Sequence, residues 1–164
     1  MVFKILAWAT VCLCAVCFCA ETSSAQITAT AGPQKDWIRL SDDDPYMELT
    51  SPLAGIGYDV VMSDSGDVGM SFGLRAAGVN GGTITQWSIE YWSVEKWLEW
   101  FAGAQFEVFD KDVGIDDEPK FLGGARGGVR FDAMGAPLEV SGSYSYGTNG
   151  AAHGGVFLGV RIAG

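Results

Sequence analysis

The segment Val68-Gly69-Met70-Ser71-Phe72-Gly73-Leu74-Arg75 carries large apolar side chains at even positions and small or polar ones at odd positions. Side chains on a strand point alternately to opposite faces, so this segment is a strand with one greasy face and one narrow polar face. The same split recurs from Leu53 to the C-terminus. The polar face is built from Gly, Ser and isolated Arg or Glu rather than from Lys and Thr.

The spacing predicts strands over Tyr46–Ser51, Leu53–Ser63, Asp67–Val79, Thr83–Ser93, Trp97–Phe109, Pro119–Asp132, Ala136–Gly147 and His153–Ala163. Asp64-Ser65-Gly66, Asn80-Gly81-Gly82, Val94-Glu95-Lys96, Ala133-Met134-Gly135 and Thr148-Asn149-Gly150 supply turn chemistry between them. Pro52 interrupts the first pair. It reads as a break between two strands, or as a bend in one long strand with Trp37–Leu40 completing the ring. Most of the strands reach the roughly 9–11 residues that cross a bilayer at a tilt. The fold class is therefore all-β, an antiparallel up-and-down closed transmembrane β-barrel of eight strands with a polar, ion-paired lumen and an apolar exterior. Tight second, fourth and sixth connections and longer fifth and seventh ones fit periplasmic turns and outer loops.

Parity places Asp59, Arg75, Glu90, Glu99, Glu107, Arg126, Arg130, Glu139 and Arg161 on the Gly/Ser face of their strands. Ile56, Tyr58, Phe72, Trp87, Ile89, Val140 and Leu158 lie on the other. Arginine pairs carboxylates through several donors, and charges in a low-dielectric interior require such partners. The nine residues are expected to form a lumen network that leaves little free channel. A secreted soluble barrel of the lipocalin kind also alternates, with its apolar face inward. The bulk of the apolar set does not fit inside so small a ring. Trp87, Tyr91, Trp92, Trp97 and Trp100 cluster on one hairpin and read as an interfacial aromatic girdle. By parity Trp92, Trp97 and Phe101 turn inward and are expected to close the periplasmic end.

Lys4 followed by the apolar run Ile5–Cys19 and the small residues Ser23-Ser24-Ala25 reads as a signal peptide cleaved after Ala25. The organisation expected is 1–25 signal, 26–45 periplasmic leader and 46–164 barrel. All four cysteines lie in the signal, so the mature chain is expected to carry neither disulfides nor thiolate metal sites. A formal charge of −10 argues against nucleic acid as a partner.

With this alternation, signal and Arg/Glu lumen, the chain resembles the small outer-membrane β-barrel superfamily, including the transmembrane domain of outer-membrane protein A. The resemblance is one of pattern and covers roughly Tyr46 to Gly164. It implies an outer-membrane location, lipid as the surrounding partner and a monomeric state. Some small barrels are lipid-modifying enzymes, and the lipid A deacylases carry a Ser two residues after a His. Here Gly155 follows His153 at that distance, so the dyad is absent and His153 reads as a loop-edge residue. Glu139 with Ser141 or Ser143 is the nearest catalytic candidate. Asp110, Asp112 and Asp116 resemble an oxygen-ligand calcium loop, but Phe121 stands where the bidentate Glu belongs. The expectation is a non-enzymatic outer-membrane protein without cofactor, structural or surface-interactive through its outer loops. Lipopolysaccharide or divalent cations are candidate partners at those loops. A lipid-modifying enzyme, a narrow ion pore and a secreted ligand-binding barrel are the alternatives.

Overall fold

Alternation becomes pairing in the computed structural model, which describes residues 25–79, 82–110, 120–147 and 150–163. Eight strands follow in order: β1 (Ala25–Arg39), β2 (Met47–Val61), β3 (Val68–Val79), β4 (Gly82–Glu95), β5 (Leu98–Phe109), β6 (Lys120–Ala133), β7 (Ala136–Gly147) and β8 (Ala152–Ala163). Each is antiparallel to the next, and β8 pairs with β1 to close the ring. The register fixes the shape. Passing from Ala29 through its partners Ile56, Leu74, Trp87, Phe106, Gly123, Tyr146 and Ala152 leads back to β1 at Arg39, ten residues farther along. That stagger tilts the strands and leaves an interior just wide enough for side chains to fill.

The stretch 26–45 is not a leader, and the barrel begins at Ala25. Thr28, Thr30, Gln34 and Asp36 of β1 are buried in the lumen. Ala29, Ala31, Pro33, Lys35 and Trp37 alternate with them and face outward, so this strand lacks the run of bulky apolar residues that marks the others. The segments on either side of Pro52 are one strand, β2. Pro52 pairs with Pro33. The β1–β8 register runs through Ala31 and resumes at Gln34, and β2 pairs with β3 only from Leu53 onward. Each proline thus sits where one edge of its strand is unbridged, the place where a residue without an N–H is tolerated.

Connections 62–67, 96–97 and 134–135 lie at the end where β1 starts and β8 finishes, here the terminal end. Met134 and Gly135 both adopt positive φ, 56° and 86°, as a two-residue hairpin turn with strand-matched twist requires. In the 62–67 turn, the Ser63 hydroxyl donates to Asp67 at 2.8 Å and accepts from the Asp67 amide at 3.1 Å. The 40–46 connection lies at the opposite, distal end. It holds Asp42, Asp43 and Asp44, with the Ser41 hydroxyl donating to Asp44 at 2.8 Å.

Outside the ring, Ile56, Ile89, Leu158 and Ile162 are exposed. Inside, charged and hydroxylated side chains are buried, and Gly leaves room for them. At Gly103 an added methyl carbon would stand 2.6 Å from the Glu90 Cα, so adjacent strands approach too closely for any side chain.

Candidate functional site

The lumen is layered. At the terminal end a cavity of about 680 Å³ opens between Trp92, Glu99, Arg130, Phe131 and Arg161. Arg161 on β8 donates to Asp59 on β2 at 2.5 Å, and the Ser71 hydroxyl on β3 donates to the same carboxylate at 2.7 Å. Those groups form the first rung across the interior.

Above it, three arginines and three glutamates interlock. Arg130 donates to Glu90 at 2.5 Å, to Glu99 at 2.5 Å and to Glu139 at 3.0 Å. Arg126 bridges Glu90 and Glu139, and its Nη2 also donates to the Ser141 hydroxyl at 2.7 Å. Arg75 completes the set against Glu139 at 3.0 Å. The Phe101 ring lies beneath two of these guanidinium groups, 4.9 Å from Arg126 and 4.0 Å from Arg130. A stacked guanidinium keeps its in-plane donors free for carboxylates, so ring and acids share each arginine without competition. The same parity that alternates these strands brings β3, β4, β5, β6 and β7 to one centre.

Toward the distal end the chemistry changes. Glu107 contacts His153, whose Nδ1 lies 2.8 Å from Glu107 Oε2 and whose Nε2 lies 2.9 Å from Asp36 Oδ1. Both ring nitrogens face carboxylates, an arrangement satisfied by the imidazolium, which donates from each. Gln86 and Gln105 donate to Glu107 at 2.9 Å each, Gln34 donates to Asp36 at 2.5 Å, and the Ser51 hydroxyl also reaches Asp36. Apolar side chains surround this cluster. The Phe109 ring meets the imidazole edge-on at 5.6 Å, and Ile38, Leu53, Val79, Ile84 and Leu122 pack into the same end.

His153 is therefore not at a loop edge but fully buried, at 0 % exposure. Its parity with Gly155, Gly159 and Arg161 was the signal that assigns it inward. Asp36 escapes the parity count because β1 lacks the apolar contrast that marks the other strands. The aromatic residues divide. Trp87, Tyr91 and Trp100 face outward, with Trp87 5.8 Å from Phe106 and Tyr91 5.6 Å from Trp100. Trp92, at 6 % exposure, lies inside with Phe101, whereas Trp97, 71 % exposed in the β4–β5 turn, lines the mouth of the terminal-end cavity with its ring 6.3 Å from Phe131. As a turn residue it is not bound by the parity of β5, so it sits at the rim rather than buried among the strand side chains. Asp110 is described, whereas Asp112 and Asp116 of the acidic loop, like residues 1–24 of the expected signal, lie outside the described residues.

A closed eight-stranded antiparallel barrel, apolar outside and ion-paired within, is the architecture of the small outer-membrane β-barrels. Among solved structures, the chain is similar to Ail, the attachment invasion locus protein of Yersinia pestis, with a TM-score of 0.55 at 14% identity over 84% of this chain and 97% of that one. Neisserial surface protein A is similar with a TM-score of 0.52 at 15% identity, over 87% and 99% of the two chains. Ail has also been crystallised with the heparin analogue sucrose octasulfate, and that structure matches with a TM-score of 0.50 at 14% identity, over 85% and 99%. At such identity the likeness is one of fold. No protein family matches the sequence, and no curated protein is significantly similar to it.

Proposed function

We propose that the chain is a monomeric outer-membrane barrel, exported by a cleaved signal peptide, with a largely plugged lumen and a structural or surface-interaction role at its distal end. The observation that carries this reading is the inversion of polarity. Ile56 is 63 % exposed on the outer surface, while Glu107 and Glu139 are fully buried inside. Water does not favour that distribution, and hydrocarbon does. Bilayer insertion also explains the closed ring, since no edge strand is left to seek partners in lipid. In this orientation the tight 62–67, 96–97 and 134–135 turns face the periplasm and the 40–46 connection faces outward.

The plugged reading is supported by the three-arginine, three-glutamate cluster and the apolar packing around His153, which together fill the interior beyond the terminal-end cavity. The non-enzymatic reading is supported by the state of the catalytic candidates. The Ser141 hydroxyl donates to Glu139 at 3.3 Å and accepts from Arg126, but three arginines hold the Glu139 carboxylate, whose charge is thereby committed to them rather than to activating the hydroxyl. Ail binds a polyanion analogue in its crystal; the acids Asp42, Asp43 and Asp44 at the distal end of this barrel argue against carrying that ligand over to its 40–46 loop.

Fractionation with gel migration before and after boiling tests the proposal. A membrane-pellet protein whose unboiled form migrates differently supports it. Recovery as a soluble periplasmic monomer overturns it.

A further inference from the structure

We propose that the terminal-end cavity binds a small aromatic monocarboxylate, its ring against Trp97 and Phe131 and its charge met by Lys96 and Arg161. The inference rests on the outer-membrane orientation proposed above, which turns this cavity toward the periplasm. Its volume of about 680 Å³ falls in the range of small-molecule sites. The arginine–glutamate cluster stands behind it and begins at the Arg130–Glu99 pair, which lines the cavity. The cavity is therefore blind. A solute enters and leaves by one mouth, as in a binding site rather than a conduit.

The wall specifies the apolar half of the ligand. Trp92, Trp97, Phe131 and Leu138 line the cavity, and the Trp97 and Phe131 rings meet edge to face at 6.3 Å. Trp97 is largely exposed on its turn, so a second ring covering it removes apolar surface from water. Trp92 is held against β3 at its cross-strand partner Gly69, where an added methyl carbon would collide with the indole. Glycine at that position is what lets the tryptophan form part of the wall without filling the cavity.

The state of the polar groups specifies the other half. Each acid on the wall is already engaged: Asp59 accepts from Arg161 at 2.5 Å and from Ser71 at 2.7 Å, Glu99 from Arg130 at 2.5 Å, and Asp132 from the Gly135 amide at 2.7 Å. The donors are not all engaged. Among the described residues Lys96 has no carboxylate partner, and Arg161 engages Asp59 through Nη2 alone. The Trp92 Nε1–H is the one buried side-chain polar atom of this wall without a partner. A buried donor in that state is ordinarily completed by water or by a ligand oxygen. Engaged acids and open donors select an anion, and a carboxylate offers such donors two oxygens at once. The carboxylates of Asp59, Glu99 and Asp132 on the same wall disfavour a second negative charge, which sets a monocarboxylate above a phosphate monoester.

The test titrates naphthylacetate into the full-length protein in lipid nanodiscs and follows the indole N–H signals by NMR of nitrogen-labelled samples. The Trp92 signal, assigned by its loss in Trp92→Phe, should shift saturably with a Kd in the millimolar range or below, while Trp37 on the outward face of β1 stays in place. Lys96→Gln and Trp97→Ala, both in an exposed turn, should each raise Kd at least about fivefold, and uncharged naphthylacetamide should bind more weakly than the acid by a similar factor. A Trp92 signal that does not move overturns the site. So does affinity unchanged in either folded variant, or equal shifts at Trp92 and Trp37, the mark of partition into lipid. Boiling-dependent migration is read on the same samples. Protein that shows it without the ligand shift loses this site and keeps the membrane reading, whereas its absence in wild type overturns the membrane reading itself.

Discussion

Glu139 is the residue on which the interior depends most directly, because three guanidinium groups converge on its two oxygens. Replacing it with alanine strands those charges in a water-poor lumen. Removing one partner of a buried pair typically costs about 3–5 kcal/mol. We expect Glu139→Ala to lower unfolding stability in lipid vesicles by about that amount, measured by urea titration of tryptophan fluorescence. Glu139→Gln should lose less, since its carbonyl still accepts. His153 offers a sharper comparison. His153→Ala leaves Asp36 and Glu107 facing each other without the cation between them, so it should destabilise strongly. Adding Glu107→Gln to that variant should restore part of the loss, and a double mutant no more stable than His153→Ala would contradict the charge account. At the terminal-end turn, the Ser65 hydroxyl and then the Ser63 hydroxyl hold the Asp67 carboxyl below its ordinary value of 3.8. A depressed carboxyl stabilises the folded turn above its unfolded pKa and loses that contribution as pH falls through the folded one. Ser65→Ala should raise the Asp67 midpoint in an NMR titration.

Strands differ in how openly their sequences declare them. β3 to β8 set large apolar residues outward against Gly, Ser and charge inward, and their bounds follow that contrast to within two residues, the largest difference being the end of β4 at Glu95 rather than Ser93. β1 lacks the contrast, since both of its faces are small or polar apart from Ile27, Trp37 and Ile38. Only the ladder partners on β2 and β8 reveal it, and those are non-local. The charged positions of the lumen were readable by counting in twos; which carboxylate meets which cation was not, because that depends on the ten-residue stagger of the ring. Glu107 shows the limit: counting assigns it to an arginine network, and the stagger delivers it to His153. Gly103 tests the element scale. Because the backbone of β4 fills the space where its side chain would go, Gly103→Ala must push β4 and β5 apart. We expect a loss of about 1–3 kcal/mol in the same urea assay, the usual range for overpacking. The equivalent change at Gly78, where nothing stands within 4 Å, should be nearly silent.

For the molecule as a whole, the layered lumen makes a transport prediction. Planar-bilayer recordings of the wild type should show no steady conductance, whereas Arg75→Ala combined with Glu139→Ala, which empties the middle of the network without leaving a net charge change, should admit small ions if the variant inserts. A steady wild-type current would overturn the plugged reading. The closure of β8 onto β1 has one more consequence. Thr28 pairs with Ala163, so the first and last strands of the ring leave the barrel side by side at the terminal end. The order in which the strands are synthesised is then not written into the finished ring. A chain joined by a short linker between those two ends and cut open in the 96–97 turn should assemble the same barrel, beginning with β5 and ending with β4.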